Sequence, residues 1–282
     1  MVPYGELTRQ PARLIMKTAP ATNFADAVAS HLARRTIVDL YTVIRSGESL
    51  CIVVGAKVVC PKGEAPQVFG AVGTGAQALC ALLPKTEADR WTGVKERVAL
   101  SGTSVWIYGE RILPSIQLVV AGAGHIGREL ARIGVTMGWS VTVADDRLDY
   151  AAQARYPADV RVLCTPFSKL FDEIHLDSCS ALVLVTRGHR HDEELLSRIA
   201  GGPPFYVGMI GSRRRVQNVL SKLRQEGVSD TWLNTLYAPI GLPIGAETPS
   251  EIALAVAAEV TAVWKGRGQW ARQEKKLYYT KP

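Results

Sequence analysis

The chain is poor in cysteine: Cys51, Cys60, Cys80, Cys164 and Cys179 are the five in 282 residues, and no two form a Cys-x-x-Cys pair. An odd count at such spacings argues against a disulfide framework and a structural zinc site. Buried, reduced thiols are expected instead, with a thiolate ligand for a soft metal as the alternative. No apolar run reaches the ~18 residues that a membrane span needs. Residues 1–10 lack the basic-then-apolar layout of a secretion signal. A cytoplasmic protein with no membrane partner is the expectation. A nucleic-acid-binding motif is missing too. The net charge is +7, but the excess gathers in Lys265, Arg267, Arg272, Lys275, Lys276 and Lys281, against Glu274. Trp270, Tyr278 and Tyr279 lie among them, yet the pattern reads as a solvated basic tail, not a nucleic-acid face.

What the chain has is a globular balance, 47% apolar and 21% charged, and enough length for two domains. The fold class expected is α/β, in three parts. Residues 1–112 form a smaller α/β domain, 113–265 a Rossmann-like domain, and 266–282 the basic tail. In the first part, Phe24, Ala27, Val28 and Leu32 fall on one side of a helix over 24–35. Strand-like runs follow at 37–45, 50–54 and 57–60, parted by Ser46-Gly47, Gly55 and Pro61-Lys62-Gly63. The glycine-rich stretch 69–75 leads into a helix over 76–83. Two short strands lie within 94–108, and 109–114 reads as a linker stopped by Pro114.

Beyond the linker, strands and helices alternate. The strands expected at 116–121, 140–144, 160–164, 181–186 and 205–210 are rich in Val, Ile and Leu, as strands covered on both faces are. Helices are expected at 125–137, 192–200, 212–225 and 248–264, with shorter pieces at 150–156 and 168–174. Such alternation implies a parallel sheet with helices on both faces and right-handed crossovers.

Chemistry collects at the strand ends. Gly122-Ala123-Gly124-His125-Ile126-Gly127 sits between a strand and a helix. Gly122 permits the tight turn, Gly124 a close approach of pyrophosphate, and Gly127 close helix–strand packing. The helix start then offers amides and a positive dipole end to phosphate. Asp145 and Asp146 end the second strand about 20 residues later, where a ribose hydroxyl would sit. Thr186, Arg187, His189 and Asp192 follow the fourth strand, and Gly211, Ser212, Arg213 and Arg214 the fifth. In an open parallel sheet these corners face one crevice. Arginines 213–215 oppose the helix dipole unless an anion lies near them. His189 and His191 stand two apart, which is no standard zinc spacing; hydrogen bonding to a polar ligand suits them better. Asp192 is expected to cap a helix with Glu193 and Glu194 in its first turn. Thr248 and Pro249 make a well-formed start for the last helix, and Glu247 is a further candidate carboxylate.

The Gly122–Gly127 turn with His125, the 186–193 stretch, residues 206–214 and Pro239-Ile240-Gly241-Leu242-Pro243-Ile244-Gly245 together resemble the XdhC/CoxI family of xanthine dehydrogenase and carbon monoxide dehydrogenase accessory proteins. The resemblance implies binding of molybdenum cofactor (molybdopterin), a phosphorylated pterin dithiolene. It also implies support for sulfuration of that cofactor and its delivery to a xanthine dehydrogenase-like molybdenum hydroxylase. The glycine turn, Arg187, His189, Asp192 and Ser212 to Arg214 match the shared motifs. A cofactor-sulfurating desulfurase and a second copy of the chain are further expected partners. The first half carries Gly55-Ala56-Lys57 and the glycine-rich 70–75 run but lacks the family's Ser-x-Pro-Arg and Cys-x-Glu segments, so no thiolate ligand is carried over. Two rival readings stay open. One is an NAD(P)-dependent oxidoreductase, although no Lys, Tyr or Cys stands beside a base. The other is a non-catalytic nucleotide sensor.

Overall fold

The computed structural model describes residues 23–47, 52–86, 88–99 and 102–280. The chain divides into two compact units, Met1–Leu113 and Pro114–Pro282. The first unit holds helix α1 (Phe24–Ala33), strands β1 (Val38–Ser46), β2 (Lys57–Pro61) and β3 (Gln67–Phe69), helix α2 (Thr74–Ala81), and strands β4 (Gly93–Val98) and β5 (Ser104–Ile112). The sheet is antiparallel, in the order β3-β2-β1-β5-β4. Strand alternation sorts its faces. Val38, Leu40 and Val59 pack under Ala27 and Val28 of α1, while Tyr41, Val43, Val58, Val105 and Ile107 pack with Leu79 of α2.

Three expectations change here. Residues 52–56 form no strand, and 48–51 lie outside the described residues. The short strand β3 has no counterpart in the sequence reading. The expected linker from 109 is the end of β5, because Gly109 pairs with Tyr41 and Gly93. A side chain at Gly109 would place its first carbon 2.8 Å from the Trp91 carbonyl oxygen, so this glycine serves close packing. The thiols also differ from one another. Cys179 is buried, Cys60 and Cys80 half-buried, and Cys164 exposed, while Cys51 lies outside the described residues. Burial, then the nearby Cys80 and Asp39, pushes the Cys60 thiol up to about 12.

The second unit is an alternating chain of strands β6 (Gln117–Ala121), β7 (Ser140–Asp145), β8 (Val160–Cys164), β9 (Ser180–Leu184) and β10 (Tyr206–Met209). Helices α3 (His125–Thr136), α4 (Leu170–Glu173), α5 (His189–Ile199), α6 (Arg213–Gln225), α7 (Asp230–Leu233), α8 (Pro249–Trp264) and α9 (Gly268–Thr280) complete it. All four strand pairings are parallel, in the order β10-β9-β6-β7-β8, so strand order reverses between β6 and β9. Leu118 and Val120 face α3 and α8, with Leu130, Val256 and Val260. Val119 and Ala121 face the other way, onto Leu195, Leu196, Val216 and Val219 of α5 and α6. Each such fully buried aliphatic side chain stabilises the fold by about 1.5–3 kcal/mol. This is the expected α/β architecture.

Thr248 caps α8 as the sequence suggests: its side chain accepts from the Glu251 amide, and Glu251 returns the bond to the Thr248 amide. Glu247 also gives its amide to Glu251, and its side chain is exposed. The expected solvated tail is different, because residues 268–280 form α9 against α8. Ala271 is buried, and Arg272 reaches the carbonyls of Asn234 and Leu236 at 3.0 and 3.2 Å. Arg272 and, as described below, Lys275 are bound to the protein, which the local sequence could not show. Among the described residues no helix is long and apolar enough to cross a membrane.

Candidate functional site

The glycine turn lies at the carboxyl end of β6. Gly122 gives its amide to the Ala144 carbonyl at 2.8 Å and adopts φ +119°. A side chain there would begin 2.4 Å from the Val185 carbonyl oxygen, so the β6 and β9 corners touch at this point. A side chain at Gly127 would begin 2.0 Å from the Gly122 carbonyl oxygen. Both glycines are demanded by the protein's own packing. Gly124 is not: no atom lies within 4 Å of where its side chain would begin, and its φ of −68° suits any residue. It is also the N-cap of α3 and offers no side chain to the first-turn amides. His125 opens the helix and is exposed.

The acidic pair at the end of β7 divides its work. Asp145 is buried and accepts from the Ala123 amide at 2.8 Å, from the Arg147 amide at 3.1 Å, and from the Arg147 guanidinium at 2.8 and 2.9 Å. Burial works to raise its pKa, but these bonds win and hold the carboxyl below the ordinary aspartate value. Asp145 therefore ties the glycine turn to the β7 corner. Asp146 instead pairs across the reversal point with Arg187 at 2.8 Å, and its other oxygen, Oδ1, is buried without a hydrogen-bond partner.

The β9 and β10 corners are joined by a second buried carboxylate. Helix α5 starts at His189 with Gly188 as N-cap, so Asp192 is not the cap expected of it. It sits inside the first turn, fully buried. Thr186 Oγ1 donates to it at 2.6 Å, and Arg215 of α6 pairs with its other oxygen. Burial raises the Asp192 pKa against these two bonds. The arginine trio thus splits. Arg215 turns inward to Asp192. Arg214 lines a groove of about 630 Å³ with Arg190, Glu193 and Asn218, none of it drawn from the glycine turn. Arg213 stays exposed. Ser212 caps α6 by accepting from the Arg215 amide, and Gly211 leads into it. The ring of His191 lies 4.9 Å from that of Phe167.

Contacts from Ala123 to Asp145, Asp146 to Arg187, and Thr186 through Asp192 to Arg215 thus place all four corners on one rim. The sequence reading missed Arg147, and it grouped Arg215 with its two neighbours as anion-seeking, whereas Arg215 pairs inward with Asp192. The Asp-x-Arg spacing at the β7 end was the only local signal for Arg147. Among the described residues no cluster of His, Cys, Asp and Glu is arranged to hold a metal ion.

Comparison with known proteins agrees with this fold. The family model of the XdhC Rossmann domain matches residues 118–260. The chain is 32% identical over 148 residues to the Escherichia coli (strain K12) "Uncharacterized protein YqeB", covering 52% of this chain and 27% of that protein. It is also 32% identical over 152 residues to a probable xanthine dehydrogenase subunit of Bacillus subtilis (strain 168), covering 54% of this chain and 44% of that protein. The matched stretch therefore spans less than half the length of these curated relatives. A crystal structure of a xanthine dehydrogenase from Bacillus halodurans superposes with a TM-score of 0.64 at 18% identity, over 92% of this chain and 71% of that one, and shares the fold. With just over half of its length matched by the family model, the chain belongs to the XdhC Rossmann-domain family.

Proposed function

We propose that this chain is an accessory factor in the maturation of a xanthine dehydrogenase-like molybdenum hydroxylase, and that the rim of its parallel sheet holds the phosphorylated end of molybdenum cofactor for delivery. Family membership and the name of the Bacillus subtilis relative support the enzyme class. The open approach to Gly124, beside first-turn amides that no side chain caps, is the observation that carries the binding claim. The donor set fits the phosphate end. Backbone amides and the Arg187 guanidinium are hard, anion-seeking groups, suited to phosphate oxygens. They are poor ligands for molybdenum, which the pterin dithiolene carries with it. When bound, the cofactor supplies the metal centre of the recipient enzyme. This chain's part is to hold and orient it, with Gly124, His125 and Arg187 nearest the approach and Arg213 and Arg214 at the adjoining corner.

The strand order, reversing between β6 and β9, favours one rival, an NAD(P)-linked oxidoreductase. Calorimetry with molybdenum cofactor and, separately, with NAD(H), followed by activation of an apo-hydroxylase, separates the two. Cofactor binding with activation is the expected result, and NAD-linked turnover without it reverses the order. Arg213→Ala with Arg214→Ala is expected to weaken cofactor binding about tenfold while the far-ultraviolet spectrum stays unchanged. Unaltered affinity removes the β10 corner from the site.

A further inference from the structure

Helix α9 lies beyond residue 260, where the family match ends, yet its basic side chains grip the segment that leads into the 239–245 loop. That segment runs beside β10. The Tyr237 amide donates to the Val207 carbonyl, the Met209 amide to the Tyr237 carbonyl, and the Ile240 amide to the Met209 carbonyl. Gly208 and Tyr237 form a parallel bridge, so the loop departs at the carboxyl rim, on the side where the glycine turn lies. Arg272 holds the carbonyls of Asn234, Thr235 and Leu236 and lies 4.1 Å over the Tyr237 ring. Lys275 donates to the Pro239 carbonyl at 2.7 Å and pairs with Glu259 of α8. Glu259 is fully buried, and its Oε2 accepts from Tyr206 Oη at 2.7 Å and from the Gly241 amide at 2.9 Å.

We infer that Lys275 and Glu259 are positioning residues that fix the 239–245 loop at the rim, making α9 a working part of the ligand-binding unit. Two residues of the loop's start are held through main-chain atoms, the Pro239 carbonyl by Lys275 and the Gly241 amide by Glu259, and the two holders are joined to each other. Neither holder can be lost alone without leaving its partner's charge buried and unpaired. Gly241, at φ +92°, lies against Ala255, where a side chain would begin 3.3 Å from the Ala255 Cβ. The loop is therefore seated on α8 as well, and residues 240–247 with Ile252 and Ala255 frame a groove of about 370 Å³. Burial lowers the Lys275 pKa and Glu259 opposes that shift, consistent with an ammonium withdrawn from water. The part concerning the ligand rests on the rim reading proposed above.

The test uses the full chain with Lys275→Met, and with Glu259→Gln and Lys275→Met together, a neutral pair of similar shape that keeps an acceptor for the Gly241 amide. Hydrogen exchange reports on residues 238–247 and, as an internal control, on β6; pyrophosphate is the binding probe. Lys275→Met is expected to speed exchange in 238–247 about tenfold while β6 keeps its protection, and to weaken pyrophosphate binding about fivefold. Should that variant fail to fold, the neutral pair carries the same expectation, since it too has lost the bond to Pro239. Unchanged loop protection in a folded variant, or equal loss in loop and β6, overturns the positioning role. A loosened loop with unchanged pyrophosphate affinity overturns its link to the ligand. If the unmodified chain does not bind pyrophosphate, the rim reading fails, and the exchange data still decide whether Lys275 fixes the loop.

Discussion

Gly70 and Gly73 lead into α2 as Gly122 and Gly124 lead into α3, whose first turn holds Gly127, and neither helix has a side-chain cap. The surroundings differ. A side chain at Gly73 would meet nothing within 4 Å, one at Gly70 would make only ordinary contact with Ala56, and Val72 between them is 88% exposed. These glycines answer a backbone requirement, with φ of +77° and +57°. In the second turn, Gly122 is enforced by the Val185 carbonyl oxygen and Gly127 by that of Gly122, and the glycine between them has space beside it. Glycine content before a helix is therefore a weak guide. A crowded glycine next to an uncrowded one, at a corner braced by buried carboxylates, says more.

Alanine substitution should widen this contrast most at Gly127. With its first carbon 2.0 Å from a carbonyl oxygen, Gly127→Ala is expected to cost about 3 kcal/mol or more. Gly73→Ala meets no clash and bears only the backbone strain of φ +57° with ψ −129°, roughly 1–3 kcal/mol. Urea midpoints followed separately in the two units check both, and equal losses would refute the distinction. A smaller effect is expected at the brace. Asp145→Asn removes the charge that Arg147 and the Ala123 amide meet, for about 2 kcal/mol at neutral pH. Its pH dependence has a definite sign. The folded carboxyl sits below its unfolded value, so the unfolded chain takes up the proton first as pH falls. The stabilisation is whole above about pH 4 and is lost as pH falls through the folded value. Asp145→Asn should therefore flatten the acid limb of a stability–pH curve, and a limb of unchanged slope would contradict the assignment. Asp192, with its raised value, contributes in the opposite sense: what it adds is whole below about pH 4 and fades as pH rises. The smallest stability change belongs to Gly124→Ala, about 1 kcal/mol or less, because alanine is a poorer N-cap than glycine. There the loss should fall on pyrophosphate affinity. Unchanged binding by that variant would leave the open approach at Gly124 without a role.

Much of this arrangement was legible in the chain because it is local. Gly122–Gly127, the Val- and Ile-rich strands and the Thr248–Glu251 cap each lie within a few residues, where period and turn chemistry apply directly. What escaped is non-local or short. Gly109 resembles a linker glycine until β1 and β4 are seen on either side of it. Asp192 has the composition of a cap, but its carboxylate is claimed by Arg215, 23 residues on. Lys275 looked solvated because its partners, Glu259 and the Pro239 carbonyl, belong to other elements. The three residues of β3 carry too few side chains for any periodicity to register.

Of the three aspartate–arginine pairs on the rim, two differ plainly in durability. Asp145 and Arg147 meet with the carboxylate 2% exposed, whereas Asp146 and Arg187 are 24% and 49% exposed. A pair open to water contributes about 0–1 kcal/mol, and dissolved ions weaken it over a Debye length of ~8 Å at physiological strength. Brine should thus unfasten the β9 corner from the β7 corner long before it disturbs the glycine turn. The tie between Asp146 and Arg187 is therefore the part of the rim expected to answer to ionic strength, while the close contact of Gly122 with Val185 is not.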